Sequence, residues 1–221
     1  MSHDDFEFEP IRGLPALLPE GERLLWQGAP DWKSLAIRAY HVRKVALYFS
    51  VLVLWRIGVG IGSAHSPTAI AVSCAFLLAL GGIAIGVLSL LAYFAARATV
   101  YSITSRRVLL RHGVAVPMTM NVPFKVIETA QLKLFADRTG DVAIGVTKAE
   151  RIGYLITWPH LRPGFITRPQ PSLRSLADAS RAAEVLGLAL AADAGVAALR
   201  IDATGTAPAV NGLRPRTAAT A

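Results

Sequence analysis

The chain has 221 residues, a formal net charge of +8 and a mean hydropathy of +0.44, with 53% hydrophobic residues. That length holds one or two domains. No Lys/Arg block or aromatic-basic run accompanies the basic excess, which argues against nucleic acid as a partner. Anionic lipid headgroups account for it at about 1 kcal/mol per basic residue near a membrane surface. The lone Cys74 excludes an intrachain disulfide and fits a reducing compartment.

Residues 1–19 carry Asp4, Asp5, Glu7 and Glu9 and are broken by Pro10, Pro15 and Pro19, so a disordered acidic leader is expected there. Residues 20–44 form a cytoplasmic segment in two parts. A short strand is predicted at 24–27 between turn signals, and its place in any later sheet stays open. An interfacial amphipathic helix is predicted over 31–44, presenting Trp32, Leu35, Ile37 and Tyr40.

Two apolar runs follow, at 45–61 and 68–94, and Arg56 is the one charge between residues 45 and 94. The second run exceeds the roughly 20 residues that cross a hydrocarbon core, and the first does so with 41–44 as an interfacial collar. In lipid the backbone must bond to itself, so both runs are expected to be helices of a transmembrane hairpin. A buried hairpin in a soluble core is the alternative, but 69–94 shows no polar stripe. A cleaved signal peptide fits poorly after 44 residues of mixed charge. Lys33, Arg38, Arg43 and Lys44 precede the hairpin, Arg97, Arg106, Arg107 and Arg111 follow it, and the turn 62–67 has no Lys or Arg. Both termini are therefore expected in the cytoplasm.

From residue 99 the period changes to alternation. Strands are predicted at 99–105, 108–111, 114–120, 126–133, 141–147 and 152–158, with a hairpin turn at 137–141. Strands at this spacing predict an antiparallel sandwich or small barrel over 97–192. A closing helix is predicted at 172–192, capped by Ser172 and striped by Leu173, Leu176, Ala183, Leu186 and Leu190. Residues 193–221 read as a disordered tail.

Gly82 and Gly86 allow a close helix approach, either from the first span or from another chain, including a second copy. Arg56 is costly in lipid and calls for a snorkelling exit to headgroups or a client carboxylate. Glycines 58, 60 and 62 lie inside an apolar span and do not make a nucleotide loop. The five histidines form no metal-ligand pair; His41 and His65 flank the first span, where interfacial solvation outweighs axial ligation of a chlorin. No catalytic constellation emerges from Glu128, Asp137, Asp141, Glu150 or Cys74, so no enzyme activity and no cofactor are expected.

The run Thr104-Ser105-Arg106-Arg107-Val108-Leu109-Leu110-Arg111-His112-Gly113, preceded by Tyr101, resembles the membrane-attached pleckstrin-homology-like (PH-like) domains of bacteria. Glu22, Leu25, Trp26, Gly28 and Pro30 supply the segment that precedes the hairpin in such chains. Residues 19–32, His41-Val42-Arg43-Lys44, Tyr154-Leu155-Ile156-Thr157-Trp158-Pro159-His160-Leu161-Arg162-Pro163 and Arg168-Pro169-Gln170-Pro171-Ser172-Leu173-Arg174 are similar to the PuhB family of purple-bacterial photosynthetic-complex assembly proteins. The likeness covers residues 14–192. Gly164-Phe165 stands where that pattern leads one to expect a Trp. The resemblance implies a multi-pass protein of the bacterial inner (intracytoplasmic) membrane that helps build the reaction centre through contact with its subunits or other photosynthetic membrane proteins.

Trp158, His160, Arg162, Arg168 and Arg174 are the expected client contacts, because Trp and Arg are favoured anchors and the prolines oppose regular structure. A PH-like module that binds or senses lipid is the competing function, to be judged by whether Arg106, Arg107 and Arg111 form an open basic site.

Overall fold

The computed structural model describes residues 12–14, 16–63, 65–114, 116–147, 157–165 and 169–195. The chain divides into two compact units, one from 32 to 96 and one from the residues on either side of it.

Among the described residues the second of these units is built from seven strands and a helix. Strand β1 (Leu24–Gly28) pairs antiparallel with β2 (Val100–Thr104), which pairs with β3 (Arg107–His112), which pairs with β4 (Met118–Pro123). Strands β5 (Ile127–Leu134), β6 (Gly140–Val146) and β7 (Ser172–Leu176) form a second antiparallel sheet. A 3-10 turn, Phe124–Val126, links the sheets, and among the described residues no strand of one pairs with a strand of the other. Of the expected sandwich or small barrel, these residues therefore form no closed barrel. The strand at 24–27 does enter the sheet, and both ends of the 32–96 unit connect into the one β1–β2 pair.

The core lies between the sheets and the last helix. Trp26, Tyr101, Ile103, Leu110, Ile144, Leu173, Leu176 and Leu186 are all buried in it. That helix (Ala179–Asp193) buries Ala179, Ala182, Ala183, Leu186 and Ala189, a stripe at helical spacing. It starts seven residues later than the sequence suggests, because Ser172–Leu176 is strand β7. Ser175 has φ 55°, which no right-handed helix accommodates, and its neighbours Ser172 and Leu173 pair with β6. Leu173 and Leu176 are buried as predicted, but on a strand. The other edges move modestly: 114 and 116 lie in bends before β4, and β6 begins at Gly140, one residue before the predicted strand at 141–147. The strand predicted at 152–158 falls mostly outside the described residues; Thr157 and Trp158 belong to a turn closed by His160 N–H to Thr157 O.

The other unit begins with α1 (Trp32–Arg38). It does not run on to 44, because His41 takes a left-handed φ of 55° before α2 (Val42–Gly62). A third helix, α3, spans Pro67–Arg97. At about 1.5 Å per residue, α2 and α3 are about 31 and 46 Å long. Both are long and apolar enough to cross a membrane, and both leave most of their surface open. Gly60 sits against Ile70 and Gly81 against Phe49, so these two glycines bring α2 and α3 together. Gly82 and Gly86 have no atom near their Cβ positions, so the expected packing of these two against the first span is not what the structure places there. The Arg56 side chain turns sideways, its Nη2 donating to Ser73 Oγ at 3.1 Å. Ser73 passes its own proton to Ala69 O.

Candidate functional site

The residues that carried the sequence resemblance turn out to be tie-points of the seven-stranded unit. Gly21 (φ 77°) closes a turn from Pro19 and sets Glu22 beside the β2–β3 hairpin. Glu22 there accepts from Arg107 Nε (2.8 Å), Arg107 Nη2 (2.9 Å) and Thr104 Oγ1 (2.7 Å). Burial alone would raise its pKa. Those bonds and the charges of Arg107 and Arg106 outweigh burial and hold the carboxyl below its usual value. The Trp26 ring sits against Gly28, where any Cβ would collide with it, and its Nε1–H donates to Asp178 Oδ2 at 3.1 Å. Asp178 precedes the last helix without capping it by its side chain. Pro30 bridges to Leu176, and Asp31 N–H donates to Ser175 O.

The loop 157–165 is fixed from beneath by buried polar groups. The Arg174 backbone N–H donates to Tyr101 Oη (3.2 Å), which also shares a hydrogen bond with His160 Nδ1 at 2.7 Å. The other ring nitrogen of His160, Nε2, shares one with Thr99 Oγ1 at 3.2 Å. Burial, with His112 and Arg174 beside it, holds the His160 pKa well below the ordinary value, so the ring is neutral. Burial likewise lowers His112, whose ring lies 5.1 Å from His160, and raises the Tyr101 phenol. Arg174 donates through Nη1 to Pro159 O (3.1 Å) and faces Asp141 Oδ2 at 3.7 Å. The other Asp141 oxygen accepts the Ser175 N–H at 2.7 Å and holds that residue in its left-handed conformation. Ser172 N–H to His160 O and Arg162 N–H to Gln170 O lash the loop to β7 and the residues before it.

This anchoring divides the expected contact residues. His160 and Arg174 are only 1% and 4% exposed, so they support the loop and cannot meet a client directly. Trp158 is 42% exposed and Arg162 is half-buried at the surface. Arg168 lies outside the described residues. Phe165, which the sequence flagged only as a departure from the family pattern, is 37% exposed and sits under the Arg162 guanidinium at 4.3 Å. Gln131 was not singled out, Tyr101 and Gln170 entered only through the family resemblance, and Asp141 only as a rejected catalytic candidate. The one available signal was the Tyr at the head of the strand-turn motif. Among the described residues, no His, Cys, Asp and Glu cluster has the arrangement a metal ion needs.

Comparison with known proteins agrees with this architecture. A model of the bacterial PH domain matches residues 45–189. The chain belongs to the bacterial PH domain family. A relative from Rhodobacter capsulatus, described as an uncharacterized 23.7 kDa protein in the puhA 5' region, is 37% identical over 187 residues. That alignment covers 84% of this chain and 87% of the relative. No solved structure matches the chain. In this PH-like domain, Arg107 is engaged by Glu22 and Arg111 is buried, which leaves Arg106 as the exposed member of the basic trio.

Proposed function

We propose that this protein is a membrane-embedded assembly factor that helps build the photosynthetic reaction centre through protein contact, without catalysis of its own. The observation that carries this is the insertion of an apolar helical hairpin within the β1–β2 connection of a PH-like domain, in a chain whose relative is a protein of the puhA 5' region. A hairpin inserted there would attach the domain to the bacterial inner membrane by two chain crossings, with both termini in the cytoplasm as the flanking basic residues favour. Unassembled membrane subunits expose polar and small-residue helix faces, and a second hairpin can cover them until the native partner arrives. Gly82, Gly86 and the outward groove of α2 lined by Val51, Leu54, Trp55, Gly58 and Val59 are the faces open for that use. Lipid sensing is the weaker assignment, because two of the three arginines it would need are occupied or buried. A clean deletion strain should make bacteriochlorophyll but accumulate less assembled reaction centre. Normal reaction-centre levels would overturn the assembly role, and loss of all pigment would move the protein to the pigment pathway.

A further inference from the structure

Among the described residues the guanidinium of Arg162 is oriented but not neutralised. Its Nη1 donates to Gln131 Oε1 (2.7 Å) and Gln170 Oε1 (3.0 Å), both uncharged amides, and its Cζ lies over the Phe165 ring. Among the described residues no carboxylate lies within ion-pair reach of it. The Nε–H and Nη2–H edge, the side that grips a carboxylate with two parallel bonds, makes no described hydrogen bond. The same domain shows what that edge accepts, since Arg107 holds Glu22 through its Nε and Nη2. Trp158 and Phe165 add exposed aromatic surface from the same short loop. Fixing the loop through His160 and Arg174 lowers the entropy lost when a partner binds.

We infer that Trp158, Arg162 and Phe165 form a preorganised docking surface for a carboxylate-bearing segment of a partner protein. Aromatic and arginine side chains at a rigid loop are the usual anchors of protein interfaces, and the open edge selects Asp or Glu at the centre of the contact. This rests on the assembly role only for who the partner is; the chemistry of the contact stands by itself.

The test is photo-crosslinking of the full chain in its own membranes, with the crosslinking residue in place of Trp158. The expected adduct is with a peptide of another protein that contains Asp or Glu. Arg162→Gln should lower its yield about tenfold, as loss of a charge-assisted pair implies. Arg162→Lys, which keeps the charge and loses the edge, should lower it as well and guards against a folding artefact. Arg162→Glu should abolish the adduct, and exchanging the partner's acidic residue for Arg should restore it. An adduct with lipid, with residues 1–11 of this chain or with a second copy overturns the surface. So does no adduct, or one indifferent to Arg162→Gln. Intact crosslinking together with normal reaction-centre levels in the deletion strain would end the assembly role and leave the surface standing. Reduced reaction centre with an unaffected Arg162→Gln strain would do the reverse.

Discussion

Glu22 and Arg107 stand 85 positions apart, on either side of the apolar hairpin in the chain, and meet in a two-point ion pair at 2.8 and 2.9 Å. The pair joins the segment before the hairpin to the β2–β3 turn after it. Glu22→Gln keeps the shape but removes the charge, and Glu22→Ala also removes the bond from Thr104 Oγ1, which keeps Arg107 O as its acceptor. We expect losses of about 1–3 kcal/mol, the larger for Ala, read as a lower melting temperature of the detergent-solubilised chain. Because the folded carboxyl lies below its ordinary value of 4.5, its contribution is complete above that value. It is lost as pH falls through the folded pKa. Acid sensitivity below pH 4.5 should therefore shrink in Glu22→Gln.

The neutral His160 gives a pH dependence of its own. Above its ordinary pKa of 6.5, folded and unfolded chains are both unprotonated there. Below it, the unfolded chain takes up a proton that the buried ring refuses, so stability falls as pH drops, by up to about 1.4 kcal/mol per unit per histidine. His112 shifts in the same direction and adds to the slope. Unfolding at pH 5.5 should need less denaturant than at pH 7.5, and His160→Asn should flatten the slope while lowering stability at pH 7.5. An unchanged slope would mean that His160 takes up its proton equally in the folded and unfolded chains.

Tyr101→Phe isolates the phenol's part. It leaves the Arg174 N–H and His160 Nδ1 without their partner in a buried site. A cost of about 1–3 kcal/mol is expected. Limited proteolysis should then cut the 157–165 loop faster than in the parent. Equal protection in both would show that the lashing through Ser172 and Gln170 is sufficient.

What could be read from the sequence followed from patterns that are local. The two apolar runs, the alternation over 99–147 and the Ala183/Leu186 stripe predicted elements that the structure contains, with edges moved by up to seven residues, while the strand at 152–158 lies mostly outside the described residues. Ser172–Leu176 misled because Leu173 and Leu176 continue a helical spacing into the stripe, while the left-handed Ser175 that forbids a helix depends on Asp141, 34 positions away. The client-contact residues failed in part for a related reason. Trp158, His160 and Arg162 are near neighbours in one loop, and only pairing with β7 and Tyr101 decides which of them faces inward. Barrel closure was likewise beyond local pattern, since it needs both β4 to pair with β5 and β1 with β7.

Topology offers a direct check on membrane attachment. Reporters fused after Ala98 and placed at Ser66 should report opposite sides of the bilayer, with Ala98 cytoplasmic. The warrant is the absence of Lys and Arg from 62–67 against the basic residues outside both helices. The same side for both positions would remove the hairpin reading and, with it, a membrane site for Arg56.

Glycine substitutions separate the hairpin's own packing from its use by a client. At Gly60 and Gly81 an added Cβ would lie 2.6 Å from Ile70 and 2.9 Å from Phe49, so Gly60→Leu or Gly81→Leu should force α2 and α3 apart. Arg56 would then lose Ser73, and the chain should be less stable in detergent and accumulate poorly. At Gly82 and Gly86 the same enlargement meets nothing within 4 Å. Gly82→Leu with Gly86→Leu should therefore leave the melting temperature and membrane level unchanged, while thickening the face that another helix would need to approach. Co-purification of reaction-centre subunits from mild-detergent membranes should fall for this double variant and stay level for Cys74→Ala. If the double variant captures its client normally, Gly82 and Gly86 face lipid alone, and the outward groove of α2 at Trp55 and Gly58 becomes the surface to alter next.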